Sequence, residues 1–336
     1  MSLTINDIAR LAGVSKATVS RVINNGKTVD PKLRDNVLSV IEQVNYRPSA
    51  LARGLVKNES NLIGIIVPEI ANIVFGVMLE GVSKVAEIYG YDIMLSLTEK
   101  STKKEIHYLN LHRDKQVDGI ILSSRSLKKE HIEIIERFEI PCVLIGQKSS
   151  VPGIPSVHLD NFSASYEAVK TLIRFGHRKI AMIRAPLDDG ESGDERFRGY
   201  ATALADEGIQ FEDDWISVSD FSAAEGYVAM KQIIESGFQP TALFAASDKI
   251  ALGAMNYLQD QGYMIPRDIS IFGFDDMDVT ELVRPKLSTV HYSSIEMGMT
   301  AFRNLIKLIK KEEIPAQHTN VPHQIILRDS VVRHVS

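Results

Sequence analysis

The residues best placed to do chemistry near the start of the chain are Ser15, Lys16, Ala17, Thr18, Ser20, Arg21 and Asn24. All are small, hydroxylated, amide-bearing or basic, and the apolar Val19 and Val22 stand among them at helical spacing. A helix lying in the major groove of DNA requires such an outward face, because its side chains must reach base edges and phosphates. A small surface bundle with a solvated basic face has the same composition. A second set stands behind apolar runs: Asn72 follows LIGIIV, Asp248 follows ALFAAS and Asp275-Asp276 follow ISIFGF. Open α/β sheets bind ligands at the carboxyl ends of their strands, which makes these residues candidates. Arg196 opens the stretch R-x-x-G-Y at 196–200, and Phe221 follows an acidic-polar stretch. Taken singly, Phe221 also reads as a core aromatic, Asp248 as a helix N-cap, Asp275 as a turn residue and Arg196 as half of a surface ion pair.

The motifs of catalysis are missing. No G-x-G-x-x-G follows a strand, and there is no P-loop, H-E-x-x-H or G-x-S-x-G. His107 and His112 are five apart, off one helical face, and the nine His do not cluster with the lone Cys142. No catalytic residue, cofactor or metal is expected. Cys142 sits inside an apolar run, cannot form an internal disulfide and fits a reducing cytosol.

The elements that must position the first set are punctuated densely. Thr4 is an N-cap with Asp7 three residues later, and Ile5, Ile8 and Leu11 repeat at helical spacing up to Gly13. Ser15 caps a second helix running to Asn24, and a pair of short helices broken by a Gly-containing turn describes a helix-turn-helix. Asn25-Gly26 ends the second helix; Asp30-Pro31 starts a third, whose stripe of Leu33, Val37, Val40, Ile41 and Val44 packs beneath the others. Residues 1–58 hold nine Lys/Arg against four acids, a net +5, so the remainder carries −10 of the total −5. A small basic head on an acidic body indicates that one end meets a polyanion.

From Leu62 onward, apolar runs at 62–67, 92–95, 119–122, 142–145, 180–183, 242–245 and 269–274 alternate with amphipathic stretches. Those stretches fall at 75–89, 103–115, 162–175, 196–207, 222–236, 248–261 and 294–310. Buried, non-alternating strands between helices indicate doubly wound parallel sheets, and so many units fit two tandem lobes better than one. A single eight-stranded barrel is the competitor. The chain has 336 residues, 44% hydrophobic and 24% charged, as an ordinary globular protein of two or three domains does. It has no uncharged apolar stretch of about 18 residues and no apolar signal core, so a cytoplasmic location without membrane contact is expected.

The run TINDIARLAGVSKATVSRVINN at 4–25, followed by YRPSALARGL at 46–55, resembles the head and hinge of lactose-repressor-family bacterial transcription regulators. The resemblance extends over essentially the whole chain. It places Lys16, Ala17 and Arg21 on base edges and Ser15, Thr18 and Asn24 on phosphates, with Thr4 also at the DNA. In the hinge, Ser49 to Leu55 matches a segment that becomes helical on operator DNA, where Leu55 wedges into the minor groove beside Ala52 and Arg53. It also implies an α/β core of two doubly wound parallel-sheet lobes of the periplasmic-binding-protein type, joined by three crossovers with the effector between them. Arg196, Asp248 and Asp275 then match effector hydrogen-bonders and Phe221 an aromatic that stacks on the effector. Two carboxylates and a guanidinium around one aromatic suit a polyhydroxylated ring. Asn72, Phe75 and Gln147 complete the expected lining, Gln147 because Gly146 stands where many relatives place Asp. Asn161 reads more readily as a helix cap than as lining.

The divisions that follow are 1–46 for the helix-turn-helix, 47–60 for the hinge, 61–160 with 291–322 for one core subdomain, and 161–290 with 323–336 for the other. The expected protein is a homodimeric repressor whose affinity for double-stranded operator DNA answers to a small effector, a sugar or sugar derivative. A branch resembling catabolite control proteins uses a phosphorylated carrier protein as corepressor, and VDGII and RPKLSTV are compatible with it; Arg196 points to the small ligand.

Overall fold

A computed structural model describes residues 3–23, 29–46, 60–125, 127–187 and 189–334, and the chain divides into the units Met1–Asn61 and Leu62–Ser336. The expected contacts Asn24, Ser49, Ala52, Arg53 and Leu55 lie outside the described residues.

The first unit contains α1 (Ile5–Ala12), α2 (Lys16–Ile23) and α3 (Pro31–Gln43). The Thr4 backbone N–H and hydroxyl both donate to the Asp7 carboxylate, at 2.9 and 2.7 Å, and fix the start of α1. Gly13 stops it at φ 67°, a left-handed conformation that glycine adopts without a Cβ clash. Ser15 Oγ accepts the Thr18 N–H at 3.1 Å, and Asp30 accepts from Lys32 and Leu33 ahead of Pro31. Ile8, Ala9, Ala12, Val19, Val22 and Val37 close a core, and Asn36 Nδ2 donates to the Ala12 carbonyl at 2.8 Å, tying α3 to the end of α1. Two stripe positions depart from expectation: Leu11 is 53% and Leu33 43% exposed. Three short helices enclose too little inner surface to cover every apolar residue they carry.

The second unit begins β1 (Leu62–Val67), α4 (Ile73–Tyr89), β2 (Asp92–Leu97), α5 (Thr102–Asp114), β3 (Gly119–Leu122), α6 (Lys129–Arg137), β4 (Cys142–Ile145) and β5 (Ser156–Leu159). It continues α7 (Asn161–Arg174), β6 (Ile180–Arg184), a π-helical turn Gly190–Glu195, α8 (Arg196–Ala205), β7 (Ile216–Val218), α9 (Ala223–Glu235), β8 (Ala242–Ala245) and α10 (Asp248–Asp260). Then come β9 (Ser270–Phe272), α11 (Val279–Leu282), β10 (Thr289–Tyr292), α12 (Ser294–Ile309), β11 (His318–Val321) and β12 (His323–Ile326).

Two parallel sheets result, six strands in the order β11-β5-β4-β3-β1-β2 and four in the order β7-β6-β8-β9. Helices cover the sheets, so β3, β4 and β8 are buried at every position, which is why their sequences read as unbroken apolar runs. The antiparallel pair β10-β12 connects the lobes. The chain crosses from the first sheet to the second after β5, returns through β10 so that β11 pairs with β5, and crosses back through β12. There the Ile271 N–H donates to the Ser330 carbonyl at 2.8 Å.

Helix α12 packs against α4 at a glycine crossing. A Cβ on Gly81 would stand 2.1 Å from the Ile295 carbonyl oxygen, and one on Gly298 would stand 2.0 Å from that of Met78. Backbone cannot yield as a side-chain tip does, so Gly298→Ala should cost stability at the upper end of about 1–3 kcal/mol. Gly76, also on α4, has open space where a Cβ would stand, with nothing within 4 Å, so Gly76→Ala should instead gain roughly 0.5–1 kcal/mol. Urea unfolding of both variants checks this; equal shifts would show that the crossing is not tight.

Candidate functional site

On α2 the side chains divide by angle. At roughly 100° per residue, Lys16, Ala17, Ser20 and Arg21 share one arc of about 140°, while Val19 and Val22 point to the other side. The structure agrees: Val19 and Val22 are buried, and Ser15, Lys16, Ala17 and Arg21 are exposed. Ser15 Oγ lies 2.9 Å from Thr18 Oγ1, so the two hydroxyls are held together at the amino end of α2. Thr4 is exposed beside Asp7 at the start of α1. Among the described residues neither Lys16 nor Arg21 forms an ion pair, which leaves two cations on one exposed helical face.

In the second unit a cavity of about 130 Å³ opens between the two lobes. One ordered water needs about 10–15 Å³ by this measure, so the space suits several waters or one small molecule. Asn72, Phe75 and Gln147 line it from the first lobe and Arg196, Phe221 and Asp275 from the second. Six of the seven expected lining residues therefore meet in one place. The seventh, Asp248, does not line the cavity. Ser247, not Asp248, caps α10 through the Ile250 N–H, and the fully buried Asp248 accepts from Thr289 Oγ1 at 2.6 Å and from the Met277 N–H at 2.8 Å. Its carboxylate is committed to holding the chain that follows β9.

Arg196 is 5% exposed and fixed on several sides. Its Nε donates to Asn161 Oδ1 at 2.8 Å, its Nη1 donates to the Ala246 carbonyl, and its guanidinium lies 3.6 Å from the Phe274 ring centroid. Nη2 stands 3.7 Å from Asp275 Oδ1, the oxygen that also accepts from the Tyr292 hydroxyl at 3.1 Å. Asn161 is lining and not a cap, because Asp160 caps α7 by accepting the Ser163 N–H. Phe221 holds φ at 74° and Asp275 at 108°, left-handed conformations that side chains rarely adopt and that the surrounding packing must enforce. Such strain concentrates at ligand sites.

Burial pushes the Asp275 carboxyl up to about 6, against the lowering effect of Arg196 and the Tyr292 hydroxyl. Burial, reinforced by Asp275, also pushes Asp248 well above the usual range. Because the folded-state value of Asp275 lies above the unfolded one, its contribution to stability is complete below the ordinary carboxylate range. That contribution fades as pH rises through about 6. Asp275→Asn should accordingly improve relative to the wild type by about 1–3 kcal/mol between about pH 4 and pH 7. Urea unfolding of both proteins at each pH measures this; a pH-independent difference would show that Asp275 titrates as it does in the unfolded chain.

Sequence reasoning missed the π-helical turn. Its Glu191 reaches across the cleft to accept the Lys148 N–H at 2.8 Å, and it also accepts from Asn161 Nδ2 at 3.3 Å. Asp189 pairs across the cleft with Arg125 at 4.0 Å, and Lys249 Nζ donates to the Ala71 carbonyl at 3.2 Å. The lobes are thus bridged by polar contacts around the cavity. Glu105 also lines the cavity; its Oε2 accepts from the Ser124 hydroxyl and the His131 ring, both at 2.8 Å. The sequence signals were the position of Arg125 after β3 and of Asp189 and Glu191 beside Arg196; Glu105, in the first turn of α5, carried none.

Comparison with known proteins gives two family matches: "Bacterial regulatory proteins, lacI family" over residues 4–49 and "Periplasmic binding protein-like domain" over 169–331. Catabolite control protein A of Priestia megaterium is 38% identical over 98% of this chain and 99% of its own length. Among solved structures, the lac repressor dimer bound to operator and the anti-inducer ONPF superposes with a TM-score of 0.88 at 25% identity, covering 99% of this chain and 100% of that one. The complex of transcriptional regulator CelR with cellobiose gives a TM-score of 0.75 at 28% identity, covering 98% and 100%.

Proposed function

Because the chain belongs to the lacI family of bacterial regulatory proteins, a DNA-binding transcription regulator, we propose that it is a homodimeric cytoplasmic repressor whose effector is a sugar or sugar derivative held between its lobes. It has no catalytic role in this reading. The observation that carries the effector half is the meeting of Arg196, Asp275 and Phe221 with Asn72, Phe75 and Gln147 around one cavity. A charged fork, a carboxylate and an aromatic around a small space are the groups that grip a hydroxylated ring. The solved relative with cellobiose supports the ligand class, and the one described as a dimer on operator supports the assembly.

Lys16, Ala17 and Arg21 are the proposed base readers, with Ser15, Thr18 and Asn24 at the phosphates and Thr4 also at the DNA. The proposed hinge, 47–60, orders on DNA through Ser49, Ala52, Arg53 and Leu55. The proposed core subdomains are 61–160 with 291–322 and 161–290 with 323–336, supported by the β11-β5 pairing and by α12 packing on α4. Among the described residues no helix is long and apolar enough to cross a membrane. A second reading, corepression by a phosphorylated carrier protein, is favoured by the relative named catabolite control protein A.

Selection of random duplexes by the full chain tests the proposal. It should recover a pseudo-palindromic site bound with steep salt dependence, because Lys/Arg contacts release counterions. Recovery of unpaired half-sites would overturn the dimeric reading. Release or strengthening of that complex by a carrier protein, with no response to any sugar, would transfer control to the second reading.

A further inference from the structure

The charges around the cavity restrict what it accepts. Each cation in its lining already faces a carboxylate: Lys100 Nζ is 3.4 Å from Glu69, Arg125 is 4.0 Å from Asp189 and Arg196 is 3.7 Å from Asp275. Two further lining carboxyls, Glu105 and Glu191, form no ion pair with a lining cation among the described residues. Glu191 is held by a backbone N–H and an amide. Glu105 is held by the Ser124 hydroxyl and by His131, whose Nδ1 accepts the Lys128 N–H at 3.0 Å; that ring therefore serves as a neutral donor through Nε2. The lining is acidic on balance, and the buried Asp248 stands behind it.

Its free hydrogen-bonding capacity has the same sense. Glu105 uses Oε2 for both of its bonds, which leaves Oε1 without a donor among the described residues. Gln147 is 7% exposed, and its buried Oε1 has no hydrogen-bond partner. A buried acceptor without a donor, as Gln147 Oε1 is, is costly, and a ligand that brings hydroxyl or ammonium hydrogens removes that cost while also meeting the open Glu105 Oε1. A phosphate ester brings acceptors and negative charge instead. To bind, it would have to break an existing ion pair and sit among Glu105, Glu191 and Asp275, whose like charges repel it.

We infer that the cavity takes a sugar without phosphate or carboxylate, and that an amino substituent strengthens binding, with Glu105 and Gln147 receiving its donors. The inference rests on the effector reading above and narrows its ligand class.

Calorimetry on the full chain tests it with three groups of probes: neutral mono- and disaccharides, their 2-amino derivatives, and their 6-phosphates. Binding should be confined to the first two groups, with an amine tighter than its parent sugar; an amine no tighter than its parent overturns the role given to Glu105. Glu105→Gln should weaken an amine by roughly ten- to hundredfold and the neutral parent by less. If that variant fails to fold, the ranking of parent against 6-phosphate on the unaltered chain still decides. A 6-phosphate that binds more tightly than its parent overturns this inference and leaves the effector reading standing. No heat from any group overturns both.

Discussion

Arg196→Ala should lower effector affinity roughly ten- to hundredfold, because charge-assisted hydrogen bonds of this kind are worth about 1.5–3 kcal/mol each. The guanidinium is the group that the cavity has prepared most thoroughly. Asn161, the Ala246 carbonyl and the Phe274 ring fix its orientation before any ligand arrives, so little side-chain entropy remains to be lost. The same contacts make its removal costly to the fold. Asn161 Oδ1 and the Asp275 carboxylate both lose a buried partner, a change that typically destabilises by about 3–5 kcal/mol. Binding must therefore be measured where thermal melting shows the variant folded. Operator affinity without effector should remain close to the wild type, since α1, α2 and α3 form a separate compact unit with its own core. Normal effector binding by the variant would remove Arg196 from the site.

The second large effect concerns the DNA. Arg21→Ala should cost about 1–3 kcal/mol of operator affinity and relax discrimination at one base pair in each half-site. Arg21 is exposed on the arc of α2 opposite the buried Val19 and Val22, and it has no ion pair to give up among the described residues. Its truncation disturbs no core contact, so lost affinity can be assigned to lost DNA contact. Competition assays over single-base operator variants separate the alternatives. Uniform weakening across all sequences, with a salt slope reduced by about one, would show that Arg21 touches only phosphate.

The parts of this structure that were legible in the sequence were those set by local chemistry. Thr4, Gly13, Ser15 and Asp30 each punctuate a helix as their side chains or backbone freedom dictate. The runs LIGIIV, GIIL, CVLI and ALFA became strands with unchanged bounds, because a central parallel strand must be apolar on both faces. Of the strands that were missed, β11 lacks that constraint and β5 meets it with polar residues. β11, HTNV, lies at the edge of its sheet and is mostly exposed, so polar residues serve it as well as apolar ones. β5, SVHL, is buried, yet Ser156 and His158 satisfy their polar atoms within a small hydrogen-bonded cluster that no periodicity reveals. Helix α6, KEHIEIIER, was missed as well, although its buried His131 and Ile135 stand four apart.

At the cavity, the residue types were legible and their orientations were not. Asp248 and Asp275 both follow strands of the second lobe, but only Asp275 faces the opening. Asp248 turns inward to Thr289 and Met277, partners far along the chain that no local pattern announces. Glu191 was invisible for a related reason. Its role depends on a π-helical turn and on a backbone N–H forty-three residues earlier. The left-handed Phe221 is similar, since only the packed structure shows that an aromatic has been forced into that conformation.

The central claim is that one chain couples the cavity to operator binding, and reciprocity tests it most directly. Operator affinity of the full chain is titrated with and without the tightest-binding sugar, and sugar affinity is measured by calorimetry with and without operator. Thermodynamic linkage requires the two factors to be equal. The predicted result is one common factor of roughly 5- to 150-fold, in either direction, that is lost when Arg196→Ala is measured at the same sugar concentration. Saturating sugar that leaves operator affinity unchanged, while still binding in the cavity, would contradict the account.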